Sequence, residues 1–236
     1  MTSIVIAAYN EEKRLVPSLY AIRDYFTARK KDYELIVVDD GSTDNTRKIA
    51  EEQIPVIPHL RVIGYGANMG KGYALRTGVL DSRGDFVLLT DADLSTPIEE
   101  VSKLEQAVHD GPCDIAIGSR ALALSRILKK QPWWRQSMGK LFNRIVKALV
   151  MGGFEDTQCG FKFFTGASAR CLFGEARVNR FAFDVEILAL ARKKGYRVRE
   201  VPIVWINSPE SKVDPLKDSV QMVFDLLKIR SRLGKV

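Results

Sequence analysis

The chain has 236 residues (26.5 kDa), of which 46% are hydrophobic and 28% charged, a balance that excludes disordered, collagenous and coiled-coil classes. Its net charge of +7 conceals a division: residues 1–119 carry a net −6 and residues 120–236 a net +13, so the two halves are expected to meet different charged partners. No run of about 18 apolar residues is present, which argues against a transmembrane helix. The opening MTSIVIAAYNEEKR meets charge after ten positions, too soon for a signal peptide. Cys113, Cys159 and Cys171 form an odd, widely spaced set, which suggests a reducing, cytoplasmic compartment without a disulfide framework. Two histidines and no CxxC pair argue against a zinc site.

In chain order, Ser3–Ala8 reads as a buried strand and Glu12 to about Arg29 as a helix, with Leu15, Leu19, Ile22 and Phe26 on one face. Glu34–Asp39 is a second strand, and Ser42 is expected to cap a helix running to about Gln53. Arg61–Tyr65, Asp85–Thr90 and Asp114–Ser119 are further strands, separated by helices over Lys71–Ser82 and Pro97–Val108. This alternation predicts an α/β fold with a Rossmann-like, mostly parallel sheet flanked by helices. In such folds ligands sit at the carboxyl ends of the strands.

The second half has another character. Residues 120–154 carry eight basic residues and no acidic one. Trp133–Val150 reads as an amphipathic helix, with Trp134, Met138, Leu141, Phe142, Ile145 and Leu149 on one face and Lys140, Arg144 and Lys147 on another. A short strand over Phe161–Thr165, a helix over Asp184–Lys194, a late strand over Arg197–Trp205 and a last amphipathic helix with a basic end over Pro215–Arg232 follow. No repeat or long linker divides the chain, so a single domain over 1–236 is expected.

The candidate chemistry lies at strand ends. The second strand ends in Asp39-Asp40-Gly41-Ser42 and the fourth in Asp91-Ala92-Asp93. Asp91 and Asp93, at i and i+2, point to one side of an extended chain. Two such carboxylates suit Mg²⁺ or Mn²⁺ carrying a diphosphate, since Mg²⁺ takes one or two carboxylates and completes its shell with phosphate and water. Helix caps and turns are the plainer uses of these aspartates. The first strand lacks the GxGxxG of a dinucleotide site, and there is no Walker A sequence.

With these residues the chain resembles glycosyltransferase family 2, which has the GT-A fold, and within it the dolichyl- and polyprenyl-phosphate glucosyl- and mannosyltransferases. The resemblance is carried by AAYNEE (7–12), VVDDGSTDNT (37–46), NMGKGYALRTG (68–78), DADLSTP (91–97), GSR (118–120), DTQCGFKFF (156–164), FDVEIL (183–188) and EVPIVW (200–205). It implies a nucleotide-sugar half (1–119) and an acceptor half (120–236). Ala8, Tyr9 and Glu11 match the loop that meets base and ribose. Asp40, with Asp39 beside it, matches a nucleotide-binding position. Lys71 and Ala92 lie in segments that complete the nucleotide-sugar set. Asp91 and Asp93 match ligands of metal and diphosphate, and Arg120 a basic residue near the diphosphate. Asp184 falls where inverting relatives place a catalytic carboxylate. Gln158, Lys162 and Lys212 match the acceptor side, and Arg135 is a further candidate for its phosphate. The first loop reads AAYNEE where many members have PAYNE, and residue 95 is Ser where mannosyl relatives carry Gln, as in the glucosyl subset.

The expected reaction is inverting transfer of a hexose, glucose favoured, from a nucleotide-sugar such as UDP-glucose to a polyprenyl phosphate. Mannosyl transfer from GDP-mannose and a non-polyprenyl acceptor are the alternatives. The basic half is expected to meet the cytoplasmic face of a membrane peripherally, and a homodimer through the same amphipathic surface stays open. A nucleic-acid-binding protein is the distant alternative; it uses neither carboxylate cluster, and acidic patches would repel a phosphate backbone.

Overall fold

The computed structural model describes residues 1–129, 132–208 and 217–236, without the side chains of Arg135, Lys140, Lys217 and Asp218. The strands are β1 (Thr2–Ala8), β2 (Tyr33–Asp39), β3 (Leu60–Gly64), β4 (Phe86–Asp91), β5 (Ile115–Ser119), β6 (Arg126–Lys129), β7 (Lys162–Thr165), β8 (Val198–Pro202) and β9 (Val204–Ile206). The helices are α1 (Leu15–Ala28), α2 (Thr46–Glu51), α3 (Lys71–Asp81), α4 (Val101–His109), α5 (Trp133–Leu149), α6 (Gly166–Glu175), α7 (Phe183–Lys193) and α8 (Lys217–Leu233).

Seven strands form one sheet in the order β3-β2-β1-β4-β7-β5-β8, and β6 and β9 pair separately. β3, β2, β1 and β4 are parallel, as are β5 and β8. Alternate residues of β1 serve the two faces: Ile4 and Ile6 pack with α1 and α4, whereas Val5 packs with α3 and α7. Helices cover both faces, which is why β1 and β2 read as unbroken apolar runs.

One departure from parallel order positions the site. β7 runs antiparallel between β4 and β5, with Lys162 opposite both Leu89 and Ile117. The segment leading into β7 therefore arrives at the edge where β4 and β5 leave the sheet. Residues 156–161 are brought beside Asp91 by that reversal of direction.

Several boundaries differ from the sequence reading. α1 begins at Leu15 rather than Glu12, and α2 at Thr46 rather than Ser42. The reason is shared: the Asn10 N–H donates to Ser42 Oγ at 3.0 Å, and Asn10 Oδ1 accepts from the Thr43 N–H at 2.8 Å. These bonds hold residues 10 and 42–43 as a clasp between two loops. α6 and β6 were not read from the sequence. The late strand is two strands: Pro202, which has no N–H to donate, ends β8, and the Val204 N–H turns to Glu100 Oε2 at 3.0 Å. Among the described residues no helix is long and apolar enough to cross a membrane.

Candidate active site

The carboxyl ends of β2, β1 and β4 are level: Ala8 lies opposite Asp39 and Ala7 opposite Asp91. Asp39 and Asp40 are both buried. Asp40 organises the next loop. Its Oδ1 accepts from the Tyr65 hydroxyl and the Met69 N–H, each at 2.8 Å, and its Oδ2 from Asn68 Nδ2 and the Gly70 N–H, each at 2.9 Å. Burial nevertheless pushes the Asp40 carboxyl above its ordinary value, against those hydrogen bonds. The turn beside it requires glycine: Gly41 has φ +67°, and a Cβ there would come within 2.4 Å of the Ala67 carbonyl carbon.

Asp91 and Asp93 are each held by a cation of the chain. Lys71 Nζ, at the start of α3, donates to Asp91 Oδ1 at 2.5 Å. Burial opposes the charge on both groups; their mutual attraction outweighs it, raising the Lys71 pKa and lowering that of Asp91. Arg14 Nη1 donates to Asp93 Oδ2 at 3.2 Å and to Ser208 Oγ at 2.7 Å, while its Nε and Nη2 take both oxygens of Glu11. Gly160 leaves the room that Asp91 occupies. A Cβ at Gly160 would lie 2.5 Å from Asp91 Oδ2, so any other residue here would force the Asp91 carboxylate to move.

On the other side, Arg120 follows β5 directly. Its Nε and Nη2 donate to Asp156 Oδ2 and Oδ1 at 2.7 and 2.9 Å, and its guanidinium lies 5.5 Å from the Trp205 ring centre. A bidentate fork of this kind fixes the plane of the guanidinium. Asp184, in the first turn of α7, accepts from Lys162 Nζ at 2.5 Å, and both groups are buried. Burial is the larger influence on Asp184 and raises its pKa despite Lys162 and Lys71, with Asp91 adding repulsion.

These groups open on a cavity of about 510 Å³. Lys71, Arg120, Asp156, Gln158 and Asp184 give it charged and polar lining, Trp134, Met138, Phe142, Phe181, Trp205 and Met222 its large apolar lining, and Gln136, Asn143, Glu155 and Ser219 line it as well. The arrangement can hold an anion at one end and an apolar group at the other.

The structure thus brings together Asp91, Asp93, Lys71, Arg120, Asp184 and Gln158. Lys162 does not line the cavity; it lies behind Asp184, buried between that carboxylate and the Cys159 carbonyl. Ala8 and Ala92 have buried side chains that pack in the core, and Asp40 is engaged by the 65–70 loop. Tyr9 and Glu11 sit in the loop after β1, where Glu11 is engaged by Arg14. Lys212 and the Arg135 side chain lie outside the described residues. Sequence reasoning missed Arg14, Asp156, Gly160 and Trp205 as parts of the site. Asp156 and Gly160 stood inside a matched segment, but only the fold shows which side chain each one meets.

The family model described as "Glycosyl transferase family 2" matches residues 3–172. The chain is 38% identical to the dolichyl-phosphate beta-glucosyltransferase of Dictyostelium discoideum, over 98% of this chain and 74% of that protein. It is 38% identical to the Homo sapiens protein of the same name (98% and 75%) and 36% identical to that of Saccharomyces cerevisiae (97% and 73%). Among solved structures it resembles the glucosyl-3-phosphoglycerate synthase of Mycobacterium tuberculosis in complex with Mn²⁺, UDP and glucosyl-3-phosphoglycerate, with TM-score 0.74, 19% identity, and coverage of 100% of this chain and 81% of that one. Mannosyl-3-phosphoglycerate synthase from Rubrobacter xylanophilus superposes with TM-score 0.71 at 17% identity, over 98% and 73% of the two chains. The parallel strand ends with their paired aspartates, the reversed β7 and these matches together place the fold as GT-A, and the chain belongs to glycosyl transferase family 2.

Proposed function

We propose that this glycosyltransferase moves glucose from UDP-glucose to a polyprenyl phosphate of the dolichyl type, with inversion at the anomeric carbon. The shape of the cavity carries the reading. Its charged end, at Lys71, Arg120 and Asp184, suits a phosphate, and its wall of Trp134, Met138, Phe142, Phe181 and Met222 suits an isoprenoid chain. The names of the relatives agree with this acceptor and with glucose.

Asp91 and Asp93 fit a divalent cation, Mg²⁺ or Mn²⁺, because two carboxylates at one strand exit are the usual protein share of such a shell. Among the described residues no group of three or more His, Cys, Asp or Glu forms a fuller metal centre, so phosphate oxygens and water would complete it. When bound, the ion supplies charge stabilisation for the departing diphosphate. Arg120, fixed by Asp156, points a further positive charge at the same end of the cavity. The acceptor needs little help to become a nucleophile: a phosphate monoester has its second pKa near about 6 and is mostly dianionic at neutral pH. Asp184, paired with Lys162, therefore orients the acceptor and tunes the local field rather than removing a proton. Lys162 meets the acceptor phosphate directly only if that pair opens.

The same reading gives the uncovered surface a purpose. Trp133 is 78% exposed on α5, and Val220, Phe224 and Leu227 on α8 are 59%, 58% and 48% exposed, at spacings that put them on one stripe. Tryptophan and aliphatic groups beside Arg144 and Lys147 suit the headgroup level of an anionic bilayer. The chain thus works peripherally on the cytoplasmic face, where its lipid substrate lies. A second copy covering that stripe, seen as a dimer in sedimentation without lipid, is the competing outcome.

The deciding experiment is a panel of nucleotide-sugars with Mg²⁺ or Mn²⁺ and polyprenyl phosphate, reading which diphosphate is released. UDP from UDP-glucose is expected. Folded protein with no turnover in any combination would overturn the proposal.

A further inference from the structure

The carboxylates around the charged end of the site are each paired with a cation of the chain. Lys71 stands 2.5 Å from Asp91, Arg14 3.2 Å from Asp93, Lys162 2.5 Å from Asp184 and Arg120 2.7 Å from Asp156. A bare divalent cation taking the same oxygens, Asp91 Oδ1 and Asp93 Oδ2, would have to displace Lys71 from one and Arg14 from the other. The displaced Lys71 charge, tethered at the first turn of α3, would stay beside the incoming ion. A diphosphate arriving with the ion removes that surplus, because its own negative charge takes up the freed ammonium.

The build of Lys71 suits displacement. Its backbone is fixed between Gly70 and Gly72, where a Cβ would come within 2.5 Å of the Asn179 and Val178 carbonyl oxygens respectively. Its side chain is a flexible four-carbon stem ending in a compact charge. Arg14 is less free, since Glu11 holds it at 2.6 Å through a second pair. We propose that Lys71 is a resident counter-ion of the metal carboxylate, exchanged for the divalent cation only when the nucleotide diphosphate comes with it. The enzyme would then not hold bare metal, and donor and ion would load together. This inference rests on the donor-site reading above.

Metal binding without turnover tests it. Free Mn²⁺ is measured by EPR during titration of wild type, Lys71→Met, Lys71→Gln and Lys71→Arg, with and without UDP. Wild type and Lys71→Arg are expected to bind Mn²⁺ weakly alone and strongly with UDP. The two neutral variants should bind bare Mn²⁺ at least about tenfold more tightly, and the enhancement by UDP should shrink by at least that factor, with Mn²⁺ enhancing UDP binding equally in each protein. Folded neutral variants that bind bare Mn²⁺ no better than wild type overturn the counter-ion role and leave the donor site standing. Failure of every protein to bind Mn²⁺ with UDP removes both. The unmutated protein gives a second readout through reductive ¹³C-methylation. The Lys71 methyl signal, identified by its loss in Lys71→Arg, should shift with Mg²⁺ and UDP together and hold still with Mg²⁺ alone. An equal shift with Mg²⁺ alone also overturns the proposal.

Discussion

At the charged end of the site, Asp91, Asp93 and Asp156 are each matched by a cation of the same chain, whereas the outer faces of α5 and α8 leave Trp133, Leu141, Phe224 and Leu227 exposed. One region is held by internal ion pairs; the other is left exposed among the described residues. The difference shows how a +7 protein divides its work. The charged end draws on both halves, with Asp91 and Asp93 at a strand exit of the acidic half and the Arg120–Asp156 and Lys162–Asp184 pairs from the basic half. The exposed apolar surface of α5 and α8 lies in the basic half. Substitutions at the donor end should therefore act on chemistry and folding, and those at the outer faces of α5 and α8 on surface binding.

Asp91→Asn is expected to have the largest effect. It removes one of the two carboxylates proposed to hold the cation and leaves Lys71 without its partner at 2.5 Å. Turnover, followed as UDP release, should fall by about 10³-fold, the scale of losing one principal charge-stabilising group. Binding to anionic vesicles should be unchanged. Parallel loss of both would show that the two ends are not separate.

Asp156→Asn tests the donor end through stability. Burial works against the charge of Asp156, but the Arg120 guanidinium and its hydrogen bonds outweigh it and hold the carboxyl below the ordinary range. The folded protein thus binds this proton less readily than the unfolded chain. The stability so gained is complete above the unfolded pKa of about 4 and is lost as pH falls through the lower folded value. The variant should be about 3 kcal/mol less stable near neutral pH, the cost of breaking a buried pair from one side. Its urea midpoint should then fall less steeply than that of wild type between about pH 4 and pH 2. A variant as acid-sensitive as wild type would show that the pair contributes nothing.

Gly160→Ala probes fit. Its Cβ would stand 2.5 Å from the Asp91 carboxylate, so Asp91 must move or turn. Displacing a reacting constellation by about 1 Å can cost 10²-fold, and turnover should drop by that order while the fold survives. Unchanged turnover would place Asp91 outside the critical geometry.

The contrast also explains which parts were legible in the sequence. β1, β2 and β4 read correctly because burial on both faces forces continuous apolar runs, and their acidic ends announce themselves. The partners of those acids do not. Lys71 lies 20 residues from Asp91 and Arg14 79 residues from Asp93, and no local pattern says which cation meets which carboxylate. β6 was missed because its residues, RILK, are mostly exposed and have no buried run to signal a strand. α6 was missed because it opens on Gly166 and buries few large apolar side chains, Leu172 and Phe173 among them. The amphipathic face of α5 was read from its period, but the α8 stripe was not. Val220, Phe224 and Leu227 face away from Met222, Leu226 and Ile229, which pack in the core, and only the packing shows which apolar face is left over.

That stripe yields the smallest expected effect. Phe224→Ser with Leu227→Ser removes exposed apolar surface and no charge, so the fold should lose little and can gain solubility. If the stripe enters the headgroup region, each lost side chain forfeits part of the roughly 1.5–3 kcal/mol that full burial of such a group provides. Flotation with anionic vesicles should then show binding weakened about tenfold. Turnover on a detergent-dispersed short-chain acceptor should stay near wild type, because Phe224 and Leu227 do not line the cavity. Lys140, Arg144 and Lys147 all changed to Glu should weaken the same binding through charge, more strongly at low salt. A double-serine variant that binds vesicles like wild type but has lost a dimer in sedimentation would assign the stripe to a second copy of the chain. The acceptor end would then be closed by protein, as the donor end is.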